Sequence, residues 1–294
     1  MTNILFKFYK QLIKRFLIHC LLPLSNFIYE LFNNNYQIIT ASVNPINHNW
    51  GDDASIQLCK LINPHYKYIV RRYTWNVFKK NDTLCIGSII TWMTSPKSTI
   101  WGSGIVYPEQ ELSSKPQKVL AVRGPLTRHY LINRGIECPE VYGDPALLFP
   151  LYYRPHIKKA YRIGVIPHFR DKKLPIIQSI ANDKTILIID VQDVNPWHKF
   201  IDAINMCDFI VSSSLHGIII SDAYQIPNSW VEFSEGEQKR FAFHDYFMSV
   251  GKNEETPRII RNKQDILQLV ENIKWQKPNI NLNNLLISCP FYNK

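Results

Sequence analysis

The stretch that most constrains the fold is Asp208-Phe-Ile-Val-Ser-Ser-Ser-Leu-His-Gly-Ile-Ile-Ile-Ser-Asp-Ala-Tyr-Gln-Ile-Pro227. An apolar run, Phe209 to Val211, meets three serines, a histidine and Gly217, and then an apolar segment of helical length. That order spells strand, tight loop, helix. His216 falls at the helix N-terminus, where unpaired N–H groups and the positive end of the helix dipole favour an anion. Ser213, Ser214 and Gly217 are small enough to let a phosphate or carboxylate reach the backbone. An imidazole beside an anion cradle suits acid–base chemistry; a hydrogen-bonded structural histidine is the plainer alternative.

The same alternation extends to both sides. Arg162-Ile-Gly-Val-Ile-Pro-His-Phe-Arg-Asp171 reads as a strand entering a polar loop that carries His168 and Arg170. Helix 174–181, strand 186–191, helix 197–206, strand 209–212 and helix 217–224 follow, a doubly wound α/β order. His168 and His216 then share the carboxyl edge of one sheet, the edge that binds ligands in such folds. Strand 229–233 comes next, and the aromatic helix Phe241 to Gly251 reads as core, with His244 structural and Lys239 and Arg240 able to reach an anion. Asn262 caps a last helix with an Ile266, Leu269, Val270, Ile273 stripe.

Upstream, Ile38, Ile39, Ala41 and Val43 form a strand that ends in Asn44-Pro-Ile-Asn-His-Asn-Trp-Gly-Asp-Asp-Ala54. Ala54, Leu58, Leu61 and Ile62 recur at helical spacing, so Asn49, Gly51 and Asp52 occupy a strand-to-helix turn, with Asp52 or Asp53 as N-cap. Short apolar runs at 66–70, 83–86, 98–101 and 118–122 read as buried parallel strands. Arg123 follows the last of these, and its fork suits bidentate recognition of carboxylate or phosphate, or else a surface ion pair. Pro125 starts a helix that Gly135 stops. Asp144, in Gly143-Asp-Pro145, is placed to cap its turn.

Ser-Ser-Leu-His-Gly-Ile-Ile-Ile-Ser-Asp-Ala-Tyr-Gln-Ile-Pro, the Asn49-x-Gly-Asp52 turn, Val122-Arg-Gly-Pro125 and Gly143-Asp-Pro145 together resemble the polysaccharide pyruvyl transferase family, over roughly residues 38 to 252. The resemblance implies an α/β fold of two Rossmann-like domains in a glycosyltransferase-B-like arrangement with an interdomain cleft. It implies transfer of the enolpyruvyl group of phosphoenolpyruvate to two hydroxyls of a sugar in a cell-surface polysaccharide or its lipid-linked precursor, giving a cyclic pyruvate ketal and phosphate. His216 is then the expected acid. Arg123, Ser213, Ser214, Gly217 and His168 are expected to bind phosphoenolpyruvate, and Asn49, Asp52 and Asp144 the acceptor. No metal and no cofactor beyond phosphoenolpyruvate as co-substrate are expected. Some members carry Arg where this chain has Ser214, which leaves His168, Arg170, Lys239 or Arg240 to seat the phosphate. A nucleotide-sugar glycosyltransferase of the same fold and a non-catalytic basic membrane- or nucleic-acid-binding module are the alternatives.

Protonating the methylene carbon of an enolpyruvyl group requires an acid with a pKa near neutrality, and the donor's own phosphate helps keep an imidazole charged.

Composition sets the boundaries. At 294 residues two domains are natural: we expect a basic amphipathic segment at 1–35, an acceptor-side domain at 36–155, a phosphoenolpyruvate-side domain at 156–275 and a tail at 276–294. The formal charge of +10 implies acidic partners, and the absence of nucleic-acid-binding motifs makes a phosphorylated small molecule or anionic lipid the better reading than nucleic acid. Cys20, Cys59, Cys85, Cys138, Cys207 and Cys289 have no metal-ligand spacing and read as buried thiols in a reducing, cytoplasmic compartment. Residues 2 to 32 mix apolar side chains with Lys7, Lys10, Lys14 and Arg15; the apolar run after Arg15 is shorter than the ~20 residues a spanning helix needs. We expect an interfacial helix on the inner face of the bacterial cytoplasmic membrane, or a segment packed on its own domain.

Overall fold

A computed structural model describes residues 36–41, 48–71, 81–234, 239–254, 256–272 and 274–292. The basic segment 1–32 and Val43 lie outside them. The fold is α/β, with two five-stranded parallel sheets. The first comprises β1 (Tyr36–Thr40), β2 (Lys67–Arg71), β3 (Asp82–Leu84), β4 (Ser98–Trp101) and β5 (Lys118–Ala121), in the order β2-β1-β3-β4-β5. The second comprises β6 (Tyr161–Ile166), β7 (Ile186–Ile188), β8 (Cys207–Ser212), β9 (Asn228–Glu232) and β10 (Arg258–Ile259), in the order β7-β6-β8-β9-β10. Written by position within each half, both orders read 2-1-3-4-5. Each sheet therefore has a switch point between its first and third strands, where the connections diverge and leave a crevice at the carboxyl edge.

The central strands β6 and β8 are buried on both faces and mostly apolar. In β8, Ile210, Val211 and Ser212 are fully enclosed, and Phe209 nearly so. The helix after β8 spans Leu215–Ala223, beginning two residues earlier than its apolar pattern suggests, so His216 lies within the first turn. The helix after β1 spans Trp50–Ile62 and is capped by Asn49, whose side chain accepts from the Gly51 N–H at 3.2 Å. Asp52 and Asp53 sit in its first turn instead of capping it, where carboxylates complement the dipole. Helices Pro125–Ile132 and Arg240–Ser249 stop before Gly135 and Gly251, which take left-handed φ values of +67° and +66°.

The two sheets share one apolar core. Trp50 leaves the first half and stacks on Phe200 of the second at 5.0 Å between ring centroids, while its indole N–H donates to the Trp197 carbonyl at 2.6 Å and its backbone N–H to that of Val191 at 2.8 Å. Residues after Pro278 return to the first sheet: the Trp101 indole donates to the Leu285 carbonyl at 2.9 Å, and Asn63 to that of Phe291 at 3.0 Å. No helix among the described residues is long and apolar enough to cross a membrane.

Helix Leu215–Ala223 is fixed at its far end by a buried charge pair. Lys252 Nζ meets Asp222 Oδ1 at 2.7 Å with both side chains fully enclosed, and Tyr246 and Asn228 also donate to that carboxylate, at 2.8 and 2.6 Å. Removing one partner of such a pair strands the other charge at a cost of about 3–5 kcal/mol. Lys252→Met is expected to lower unfolding free energy by that amount in urea titrations, and a loss under ~1 kcal/mol would show that the pair does not hold the helix.

Candidate functional site

The two switch points face a common cleft. Asn49 and Asp52 reach it from the turn after β1, and Ser88, Ile89 and Trp92 from the segment after β3. His168 and Arg170 follow β6, and Ser213, Ser214 and His216 follow β8. Trp230, Glu232, Lys239, Ala242 and Phe243 close one side. The cleft offers a cavity of about 160 Å³ and opens to solvent.

His216 is held at the junction of the halves. Its Nδ1 and Cε1 lie 2.0 and 2.2 Å from the point where a β-carbon on residue 51 would stand, so the ring occupies the space that glycine leaves on the first turn of the neighbouring helix. Its Nε2 is sealed from solvent and lies 3.8 Å from Asp144 Oδ2, and neither atom has a hydrogen-bond partner among the described residues. His216 also lines the cleft, with Nε2 turned to Asp144 and the Nδ1 edge of the ring seated over Gly51. Burial, reinforced by Arg123 and Lys239, lowers the His216 pKa to about 3, while burial raises that of Asp144 to about 7. Without a ligand the imidazole is neutral, against the expectation of an acid poised near neutrality. Burial is the reason, because an enclosed cation loses its hydration.

The loop after β6 is tied to the loop after β8. Ser213 donates to Asp171 Oδ2 at 2.7 Å and accepts from the His168 N–H at 2.8 Å, and Ser234 donates to the other Asp171 oxygen at 2.8 Å. The Ser213 hydroxyl, expected to bind phosphoenolpyruvate, is therefore engaged in shaping the loop. His168 accepts at Nδ1 from Arg170 Nε at 3.2 Å, and burial together with Lys239 and Arg170 lowers its pKa to about 3, which makes it a neutral donor rather than a cationic ligand. Ser214 takes the N-cap position of helix Leu215–Ala223, and Ile218 is the first helical residue whose N–H returns to the backbone, at the Ser214 carbonyl. Lys239 and Arg170 bring positive charge to the cleft, whereas Arg240 is held bidentately by Glu232 at 2.8 and 2.7 Å. Asp52, largely buried, is pushed up to about 7 by desolvation, with Lys239 opposing and Asp53 adding.

Three expected site residues stand behind the cleft wall. Arg123 is fully buried: Nε donates to Asp245 Oδ2 at 3.1 Å, Nη2 to the Ile105 carbonyl at 2.7 Å, and Nη1 to Ser88 Oγ. Each of its three nitrogens already has a partner inside the protein. Asp245 also accepts from the Thr127 N–H at 2.9 Å and hydroxyl at 2.6 Å, so it caps helix Pro125–Ile132 from another helix. A β-carbon on Gly124 would stand 1.9 Å from the Asp245 carbonyl oxygen, which explains that glycine by close packing. Gly217 likewise packs on Ser212, whose Oγ lies 2.3 Å from its β-carbon position, rather than opening the backbone to a ligand. Asp144 caps the 3-10 turn Pro145–Leu148, accepting from the Ala146 N–H at 2.9 Å, and turns its second oxygen to His216 instead of the cleft. Ser88 and Trp92 line the cleft without having been singled out from the sequence.

Fold and cleft together define an α/β protein on two parallel sheets, with a small-molecule site that suits an anion and a histidine–carboxyl pair in its wall. Residues 49–234 match the polysaccharide pyruvyl transferase family, and the chain belongs to that family. The succinoglycan biosynthesis protein ExoV of Rhizobium meliloti (strain 1021) is 25% identical over 211 residues, 69% of this chain and 62% of that protein. An uncharacterized protein of Acanthamoeba polyphaga mimivirus is 28% identical over 204 residues, 66% of this chain and 63% of that one. The chain thus spans somewhat less than two thirds of the length of these curated relatives. A solved structure of a functionally uncharacterized Klebsiella pneumoniae protein is 13% identical, covers 80% of this chain and 96% of its own, and gives a TM-score of 0.44; no conclusion rests on it.

The depressed pKa of His216 has a signed consequence. The unfolded chain takes up this proton near pH 6.5 and the folded chain only near 3, so the stability tied to this group is complete above 6.5 and is lost as pH falls toward 3. The raised carboxyls Asp52 and Asp144 act oppositely, their contribution declining as pH rises from about 4 to 7. His216→Gln is expected to lose less stability than wild type between pH 6.5 and 4, by up to ~1.4 kcal/mol per pH unit in urea titrations. Parallel curves for the two proteins would contradict a neutral, buried His216.

Proposed function

We propose that this protein is a polysaccharide pyruvyltransferase that moves the enolpyruvyl group of phosphoenolpyruvate onto two hydroxyls of one sugar, forming a cyclic ketal and releasing phosphate. The observation that carries the reading is the position of His216, in the first turn of helix Leu215–Ala223 and at the wall of a cleft shared by two switch points. Family membership supplies the reaction class. On this reading the two sheets are Rossmann-like domains in a glycosyltransferase-B-like arrangement, with the donor on the second and the acceptor on the first.

The donor is anionic, and the helix N-terminus, Lys239, Arg170 and the neutral N–H of His168 provide for it. Burial keeps His216 neutral, so the proton it gives up is that of a ring N–H. His216 gives a proton to the methylene carbon of the donor. The π electrons of the C=C bond form the new C–H bond, and the adjacent carbon becomes a cation stabilised by its phosphate-bearing oxygen. One sugar hydroxyl attacks that carbon and its proton leaves; phosphate then departs with the C–O electron pair, the second hydroxyl attacks, and its proton balances the phosphate. Asp52, with a pKa near 7 at the cleft wall, is matched to accept a hydroxyl proton at neutral pH. Asn49 beside it offers an amide to orient the sugar.

Incubating the protein with phosphoenolpyruvate and a panel of lipid-linked and free glycans is expected to add one ketal-linked pyruvate to an acceptor, read by mass spectrometry. His216→Gln should slow that transfer by about 10²–10⁴-fold, the usual worth of a general acid. Nucleoside diphosphate release from a sugar nucleotide, with no use of phosphoenolpyruvate, would overturn the reading.

A further inference from the structure

Asp144 does not touch the cleft, yet its outer oxygen has one neighbour with matching chemistry. The carboxyl caps the turn Pro145–Leu148 with Oδ1, which leaves Oδ2 sealed, unpartnered among the described residues and 3.8 Å from the equally unpartnered Nε2 of His216. Two buried polar atoms facing one another without a bond are costly, and each can satisfy the other if a proton lies between them. A separation of 3.8 Å exceeds a hydrogen bond, but ligand-free acid–base sites commonly hold such contacts long and tighten them when the substrate binds.

We propose that Asp144 is a positioning carboxyl that gives its proton to Nε2 of His216 as Nδ1–H gives its own to the substrate, and takes it back when the first acceptor hydroxyl is deprotonated. This rests on the reading of His216 as the acid. The step balances: the O–H bond of Asp144 breaks as an N–H bond forms at Nε2, the Nδ1–H bond breaks as the substrate C–H bond forms, and the imidazole stays neutral throughout. The negative charge ends on Asp144, where the field of the Arg123 guanidinium favours it. This gives Arg123 a role although it is buried behind the cleft wall. The other groups around the pair are Lys239 toward His216, and Asp245, Cys85 and Tyr246 toward Asp144. The burial that keeps the Asp144 carboxyl protonated up to about pH 7 is what makes it a proton source at neutral pH. The turn that carries Asp144 packs against both helix Trp50–Ile62 and helix Leu215–Ala223, so the carboxyl is placed by the same contacts that place Gly51 and His216.

Asp144→Asn keeps the cap through its carbonyl oxygen and can still donate an N–H to Nε2, but it has no proton to give up. With phosphoenolpyruvate and an acceptor, its kcat is expected to fall about 10²–10⁴-fold while KM for phosphoenolpyruvate changes by no more than ~3-fold, and the alkaline limb of the kcat–pH profile should disappear. A kcat near that of wild type, or an unchanged alkaline limb, overturns the proposal. His216→Gln run in parallel separates the two claims: full activity there sinks the acid assignment, whereas an inactive His216→Gln beside a normal Asp144→Asn sinks only the relay. Nitrogen NMR of wild-type His216, which needs no turnover, should find a neutral ring with its proton on Nδ1 at pH 6. A proton on Nε2 alone contradicts the proposal directly.

Discussion

The site depends on one contact, the seating of the His216 ring in the gap left by a missing side chain at Gly51. His216 lies in the first turn of the helix after the second sheet's third strand, and Gly51 in the first turn of the helix after β1. Neither half alone encloses the imidazole. The low dielectric that lowers its pKa to about 3 comes into being only when the two sheets pack, so the acid–base character of the residue is a property of the assembled molecule. Trp50, next to Gly51, makes that packing firm by burying its indole among aromatics of the second half and bonding to two of its carbonyls.

A layer of buried charge lies behind the ring. Arg123 and Asp245 are both fully enclosed, and Lys252 and Asp222 repeat the arrangement at the other end of the helix that carries His216. Buried ion pairs are poor sources of net stability, since desolvation offsets most of their attraction, but they tolerate little rearrangement. Here they join helices from different parts of the chain: Arg123 and the Thr127 turn to helix Arg240–Ser249, and helix Leu215–Ala223 to the Lys252 segment. The consequence is a stiff wall behind the first turn of helix Leu215–Ala223, while the Ser213 and Ser214 N–H groups are spent on the Ile166 carbonyl and Ser212 Oγ.

Much of this was legible in the chain. The β-branched runs broken by Gly, Ser and Asn turns gave the α/β order, because the apolar period and the turn chemistry agree there. The turn at Asn49 and the Leu215-His-Gly triplet could be placed on ligand-binding edges because a parallel sheet has only one such edge. Partnership between distant residues was not legible. Arg123 looks like an anion ligand from its place at a strand end, and only the fold brings Asp245, from a helix that reads as plain aromatic core, to neutralise it. Asp144 looks like a hydroxyl ligand or a turn cap, and it does cap its turn, but its second oxygen finds a histidine 72 residues further along at 3.8 Å. The tail after Pro278 gave no signal because two of its anchors are backbone carbonyls and its buried side chains, Leu285, Cys289 and Phe291, are scattered without a period.

The central claim is that Nδ1 of His216 stands within proton-transfer reach of the methylene carbon of a bound enolpyruvyl group. A crystal structure with an unreactive phosphoenolpyruvate analogue tests it most directly. The account predicts the analogue's terminal carbon within about 3.5 Å of that nitrogen, the near-attack range for reacting atoms, with its phosphate at the start of helix Leu215–Ala223. An analogue bound elsewhere, or bound in the cleft with its terminal carbon turned away from the ring, would contradict it.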